Sequence, residues 1–311
     1  MAESTYQLDF HDDPAAFLAA AESYLASVPM ATNVISSVAD RQRRYGPSEH
    51  APFCWYVVVR DGSTVVGAAM RTAPFAPYPL FVGPMADDAA RSIARALHER
   101  GEDPGGANGA LPAARVFAEE SARLAGGRVR LEMDTRLWEL GELRLPAPVP
   151  GRARLARPAD SALCLAWFQD FRRAADAQSG RTTGHPEEHH TLEEILARIS
   201  EGLILLWEAP DGEVAHLTGM VAPMAGVARI GPVYTPEHHR GRGYASATVA
   251  EASRRLAESG VAVTLFTDIE NPVSNHVYAA LGYRPVVDMA NHSILATGEG
   301  TADVLTDRVT H

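Results

Sequence analysis

The chain contains no lysine: its 28 basic residues are all arginines, set against 39 acidic ones, for a formal net charge of −11. An acidic excess of this kind argues against general nucleic-acid binding, which rests on cationic surface. It agrees instead with a cationic partner, because a negative field concentrates cations. Cysteine is nearly absent. Cys54 and Cys164 are too few and too separated for a disulfide framework, and their apolar neighbours suit buried thiols. No apolar run approaches the length of a membrane span and no signal peptide opens the sequence, so a cytoplasmic protein with no membrane partner is expected. Clear metal-ligand spacing is also lacking. His185, Glu187, Glu188, His189 and His190 cluster beside Pro186, but they read as a loop leading to a helix cap, and no metal is expected.

What is present describes a globular protein, with 46% hydrophobic residues over a length of 311, enough for two domains. The Pro-rich segment Leu143–Arg157 reads as a linker. The expected division is residues 1–145 and residues 150–311. In the second part, helices are predicted at Asp160–Ala175 and Thr191–Ser200, the latter opened by a Thr191-x-x-Glu194 capping box. Strands follow at Leu203–Glu208 and Val214–Val221, joined by an Asp211-Gly212 turn. The first part repeats this order. It has a strand at Tyr6–Phe10, helices between Pro14 and Tyr45, and a hairpin of Phe53–Arg60 with Thr64–Arg71. Further runs lie at Leu80–Val82, Asp87–Arg100, Pro112–Leu124 and Arg128–Leu140, and Gly105–Gly109 reads as a turn.

The most informative stretch begins at Ala228–Thr235, a β-favouring run closed by Pro236. From Tyr244 the period becomes helical through Ala245, Val249, Ala252 and Leu256, until Gly260 stops it. Between strand and helix lies Glu237-His238-His239-Arg240-Gly241-Arg242-Gly243. A glycine-rich loop entering a helix presents unpartnered backbone N–H groups at the positive end of the helix dipole, a setting suited to phosphate. The plain alternative is a solvated turn. A dinucleotide fingerprint fits less well, since Ser246 replaces its third glycine and the loop after Thr235 is long. Next come a buried strand at Val261–Thr267 and a short helix after Asn271-Pro272 that carries Ser274, Asn275, Tyr278 and Leu281, capped by Gly282. Tyr278 is either a core tyrosine or a proton donor.

The two signatures, Arg240–Ala245 and Asn271-Pro272-Val273-Ser274-Asn275 with Tyr278 and Leu281-Gly282-Tyr283, together resemble the acyl-CoA site of the GCN5-related N-acetyltransferases (GNAT superfamily), in particular the FR47-like branch. The resemblance implies an α/β fold (α+β by some conventions) of two GNAT-like halves, each a mixed, mostly antiparallel sheet flanked by helices. It implies N-acetyl transfer from acetyl-CoA to a small-molecule or peptide amine in a monomer or homodimer. Arg240, Gly241, Arg242, Gly243, Tyr244 and Ala245 would hold the pyrophosphate. Backbone groups of Val233, Tyr234 and Thr235 would pair with the pantetheine arm, Asn271, Ser274 and Asn275 would contact the cofactor, and Tyr278 would act as general acid. The family's usual glutamate base has no counterpart on Val214–Val221, which offers His216 as base or as a structural histidine. The alternative is a non-catalytic acyl-CoA-binding or sensing protein. In the first half the matching loop reads Gly83-Pro84-Met85-Ala86-Asp87-Asp88. Aspartates at a helix start repel a pyrophosphate, so this half is expected to be degenerate.

Overall fold

A computed structural model describes residues 6–46, 55–72, 79–178 and 190–296. The described part of the first half opens with β1 (Gln7–His11), α1 (Pro14–Ser27) and α2 (Asn33–Tyr45). It continues through the hairpin β2 (Trp55–Asp61) and β3 (Thr64–Arg71), then β4 (Leu80–Val82), α3 (Asp87–Glu99), β5 (Gly106–Ala110), α4 (Ala113–Ala125) and β6 (Arg128–Leu140). The second half follows the same sequence: β7 (Arg152–Leu155), α5 (Ser161–Gln178), α6 (Leu192–Ser200), β8 (Ile204–Glu208), β9 (Val214–Met224), β10 (Val227–Tyr234), α7 (Tyr244–Glu258), β11 (Ala262–Asp268), α8 (Pro272–Ala280) and β12 (Tyr283–Leu295). Asp13 caps α1 through Ala15 and Ala16, and the capping box of Thr191 and Glu194 forms at α6, as the local sequence predicts.

The strands join into one sheet in the order β1-β2-β3-β4-β5-β12-β6-β11-β10-β9-β8-β7. The pairs β4–β5 and β10–β11 are parallel and all others antiparallel. The two half-sheets therefore exchange their last strands. β12 of the second half lies between β5 and β6 of the first, while β6 of the first half lies between β12 and β11. The long β6–β12 pairing runs from Tyr283 opposite Leu140 to Leu295 opposite Arg128. Arg136 spans it with a bidentate ion pair to Asp288, at 2.7 and 3.0 Å.

Helices cover both faces. On one, α1 and α2 pack on Tyr56, Val58 and Met70, and α5 and α6 on Ile204, Leu206 and Leu217. On the other, α3 and α4 pack on Val57, Val59 and Leu80, and α7 and α8 on Ala228, Ile230, Val263 and Leu265. Alternation along each strand sends neighbouring residues to opposite layers, which produces this two-sided core.

Gly106–Ala110 forms the central strand β5 and not a turn. The glycines there serve close backbone approach. A Cβ on Gly106 would overlap the carbonyl oxygen of His292, and one on Gly109 that of Val82.

The halves also meet through α2, which reaches across to β10. Buried Asn33 donates to the Val227 carbonyl at 3.1 Å and accepts from the Arg229 guanidinium at 3.2 Å. Burial, with Arg198 nearby, pushes Arg229 down to about 10, so it stays charged at neutral pH. Asn33→Leu takes a donor from the Val227 carbonyl and removes the acceptor that buried Arg229 uses among the described residues. A loss of roughly 3 kcal/mol in unfolding free energy is expected, at about 1–3 kcal/mol per unsatisfied group. Urea denaturation with an unchanged midpoint would show that this bridge contributes nothing.

Candidate functional site

β10 and β11 run side by side for only four residues, from Val227 opposite Ala262 to Ile230 opposite Leu265. Beyond that point each strand pairs only with its outer neighbour. Val233 and Tyr234 pair with Thr218 and Leu217 of β9, while Phe266, Thr267 and Asp268 pair with Leu137, Arg136 and Thr135 of β6. A bulge between Ile230 and Val233 bends β10 away from β11. The result is a notch inside the sheet, whose β10 side exposes backbone donors and acceptors ready to pair with an extended ligand.

The notch leads to the glycine-rich loop. Gly241 and Gly243 adopt left-handed backbone, with φ of 74° and 81°, and Gly243 is the N-cap of α7. No side chain caps this helix and no acidic residue sits in its first turn. The N–H groups of Tyr244 and Ala245 therefore meet the loop with their dipole uncompensated. Arg240 donates to the Thr235 carbonyl at 3.1 Å and Arg242 to the His238 carbonyl at 3.2 Å. Neither arginine forms an ion pair among the described residues, and both are exposed, so their charge is available to an anion. The Tyr244 ring itself points inward and stacks on Trp207 at 6.1 Å.

Tyr278 sits on α8 in the same apolar layer as Val233, Ile230 and Leu265. It is buried, 6.0 Å from the Tyr283 ring, and its hydroxyl has no hydrogen-bond partner among the described residues. Burial pushes its pKa up to about 12, which keeps it protonated. Tyr283, by contrast, shares a 2.7 Å hydrogen bond with Ser253. The uncommitted phenol is thus the one that the sequence singled out.

The asparagines of the second signature build the turn between β11 and α8. Asn271 caps α8 by accepting from the Ser274 N–H at 3.1 Å, and Ser274 returns a bond from its hydroxyl to the Asn271 carbonyl at 3.2 Å. Asn275 donates to the Asp268 and Ile269 carbonyls and accepts from Thr267 at 2.6 Å, which in turn accepts from the Trp138 indole. Most of the Asn275 amide is used inside the protein, whereas the side-chain nitrogen of Asn271 stays uncommitted.

His216 is fully buried, its ring nitrogens 2.7 Å from the Thr235 hydroxyl and 2.8 Å from that of Thr218. Burial pushes its pKa down to about 3, so the ring is neutral. Both of its ring nitrogens are engaged by hydroxyls of the protein itself. With Arg240 on the Thr235 carbonyl and His216 on its hydroxyl, the last residue before the loop is held from both sides. Asp170 of α5, which no sequence motif marks, places its carboxylate between Arg173 and the Tyr234 hydroxyl, 3.5 Å from the latter, on the α5–α6 face. Only the fold shows that α5 crosses the open edge of β10, where Trp167 also packs on Tyr234 at 5.8 Å. His185, Glu187, Glu188 and His189 lie outside the described residues, as does Cys54; Cys164 is buried and unpaired.

In the first half, β4 and β5 stay paired up to Val82 and Gly109, where β4 ends. Tyr24 donates to the Pro84 carbonyl at 2.6 Å, and Asp87 and Asp88 face Arg91 in the first turn of α3.

Residues 211–290 match the family model of FR47-like protein, the span that holds the notch, the loop and Tyr278. Among curated proteins no sequence matches the chain. Solved structures resemble it over nearly its full length. A GCN5-related N-acetyltransferase from Sphaerobacter thermophilus matches with a TM-score of 0.58 at 17% identity, covering 94% of this chain and 96% of that one. An acetyltransferase of the GNAT family from Colwellia psychrerythraea gives 0.55 at 12% identity, covering 94% and 100%. A tandem GNAT protein from the clavulanic acid biosynthesis pathway gives 0.51 at 15% identity, covering 95% and 100%. The chain has the fold of the GNAT acetyltransferases, and residues 211–290 resemble FR47-like protein.

Proposed function

We propose that the protein is an N-acetyltransferase moving an acetyl group from acetyl-CoA to a primary amine, with the donor bound in the second half alone. The observation that carries this reading is the notch between β10 and β11, which runs into a helix start with no side-chain cap, flanked by two exposed arginines without an ion pair among the described residues. An extended thioester arm fits the open edge of β10, and a pyrophosphate fits the N–H groups at Gly243–Ala245. In the first half, the Tyr24–Pro84 bond and the two helix-start aspartates disfavour the same ligand.

In this reading a neutral amine attacks the thioester carbonyl within a ternary complex. Backbone N–H groups near Val233 polarise the carbonyl, and Tyr278 gives its proton to the departing thiolate. His216 positions Thr235 and takes no proton. The amine loses its proton to water, and the acidic excess of the chain as a whole draws a cationic amine.

The sealing of His216 favours one other reading, a protein that binds acyl-CoA without turnover. One experiment separates the two. Titrate the full chain with acetyl-CoA by calorimetry, then follow thiol release across a panel of amines. Binding with a dissociation constant between about 1 μM and 1 mM and amine-dependent release of free CoA are expected. Binding with no release from any amine would favour the non-catalytic reading, and no binding would overturn both.

A further inference from the structure

The histidines just ahead of the glycine loop have no role in the site described so far. His239 ends the one-turn 3₁₀ helix Glu237–His239 and is 4% exposed, yet among the described residues neither of its ring nitrogens has a hydrogen-bond partner. Leaving a buried polar nitrogen unpartnered costs on the order of 1–3 kcal/mol. Its Nε2 lies 3.3 Å from Glu213 Oε1, and Nε2 of the neighbouring His238 lies 3.9 Å from the same oxygen. One ligand atom from each of the three residues falls within 4.8 Å of the others.

A hydrogen bond does not account for this arrangement. The Glu213 and His238 side chains are exposed, yet both lie against the buried imidazole, the His238 ring with its centroid 4.1 Å from that of His239. Two imidazoles and a carboxylate form a borderline-soft donor set, as zinc prefers. Zinc bonds of about 2.0 Å to nitrogen and oxygen place tetrahedral ligands about 3.3 Å apart. The His239–Glu213 separation has this value already; the two edges to His238 are wider, 3.9 Å to Glu213 and within 4.8 Å to His239, and rotation of the exposed His238 ring would close them.

We propose that Glu213, His238 and His239 form a zinc-binding site, with a water as fourth ligand, that pins the β8–β9 hairpin to the start of the glycine loop. Glu213 is well placed for this role. Its N–H donates to Asp211 at 3.0 Å and its carbonyl accepts from Ala209 at 2.8 Å, so the hairpin turn fixes the ligand's backbone. A divalent cation balanced by one carboxylate leaves a net positive charge just ahead of Arg240, in a chain whose overall charge is −11. The inference stands on these three residues and does not depend on acyl transfer.

The test uses the untagged full chain, stripped of metal, with Zn²⁺ in calorimetry and Co²⁺ as the visible probe. One equivalent of Zn²⁺ per chain and the visible absorption of tetrahedral Co²⁺ are expected. Glu213→Gln and His238→Ala change exposed side chains, so folding is preserved; each is expected to weaken Zn²⁺ at least about tenfold, since even outer partners of a ligand are worth that much. His239→Ala is expected to remove the Co²⁺ absorption, with circular dichroism as the check on folding. Absence of stoichiometric uptake would overturn the proposal. So would uptake that persists unchanged in Glu213→Gln and His238→Ala, which would move the ion to other histidines.

Discussion

Gly243→Glu is expected to weaken acetyl-CoA binding at least about 100-fold, a loss of roughly 2.7 kcal/mol, while the protein remains folded. Gly243 holds φ of 81° at the N-cap of α7, a conformation that costs a side-chain-bearing residue about 1–2 kcal/mol. Space is not the obstacle, because an added Cβ would meet only Val149, at 3.5 Å. The larger effect is electrostatic. A carboxylate at this point occupies the first-turn N–H groups and repels a pyrophosphate, although an acid at a helix start is otherwise favourable to the helix. Gly243→Ala separates the two contributions, since it keeps the backbone strain and omits the charge; a loss of about tenfold is expected there. Calorimetry beside thermal melts of both variants checks the prediction. Unchanged affinity in the glutamate variant would place the donor elsewhere in the protein.

The region around this glycine was legible because its structure is written locally. Pro236, the paired glycines and the change of period at Tyr244 mark a strand, a loop and a helix, and the residues sit there in the fold. Asn271 was readable as a cap and does accept from Ser274. The capping box at α6 was equally plain, since both of its partners lie within four residues. What escaped was every feature that depends on pairing across the sequence. β12 begins right after the Gly282 signal, but nothing in Tyr283–Leu295 says that it enters the other half, beside β5. The same holds for β6, whose partner on β12 lies about 150 residues away. Gly106 and Gly109 looked like turn residues because turns and close strand packing both select glycine. Likewise, His216 on an apolar strand suits a base or a strut equally, until Thr218 and Thr235 are seen at its two nitrogens. Asp170 carried no signal at all, as its relation to Tyr234 exists only once α5 has crossed the sheet.

Tyr278→Phe is expected to lower kcat by roughly 100-fold, the low end of what a positioned general acid supplies, and to leave acetyl-CoA affinity within about twofold of the parent. Phenylalanine keeps the ring that packs against Val233, Leu265 and Tyr283, so the apolar layer is retained. The hydroxyl has no hydrogen-bond partner to strand among the described residues, and its loss costs the fold little. Its raised pKa of about 12 has two consequences. The acid form is fully populated at neutral pH, so on the proposed function the parent protein should gain rate as the amine deprotonates and show no falling limb from Tyr278 below about pH 10. It also makes the phenol a weaker acid than one in water, which would disfavour transfer to an ordinary thiolate. In the proposed reaction the leaving thiolate forms beside the same apolar layer, where partial burial raises its proton affinity as well. The two shifts run in the same direction and the transfer stays feasible. In the variant, water must supply the proton, so the rate should fall in proportion to how poorly water enters that layer. Measuring thiol release and donor affinity side by side tests this account. Equal turnover would assign the proton to water and leave Tyr278 as a packing residue.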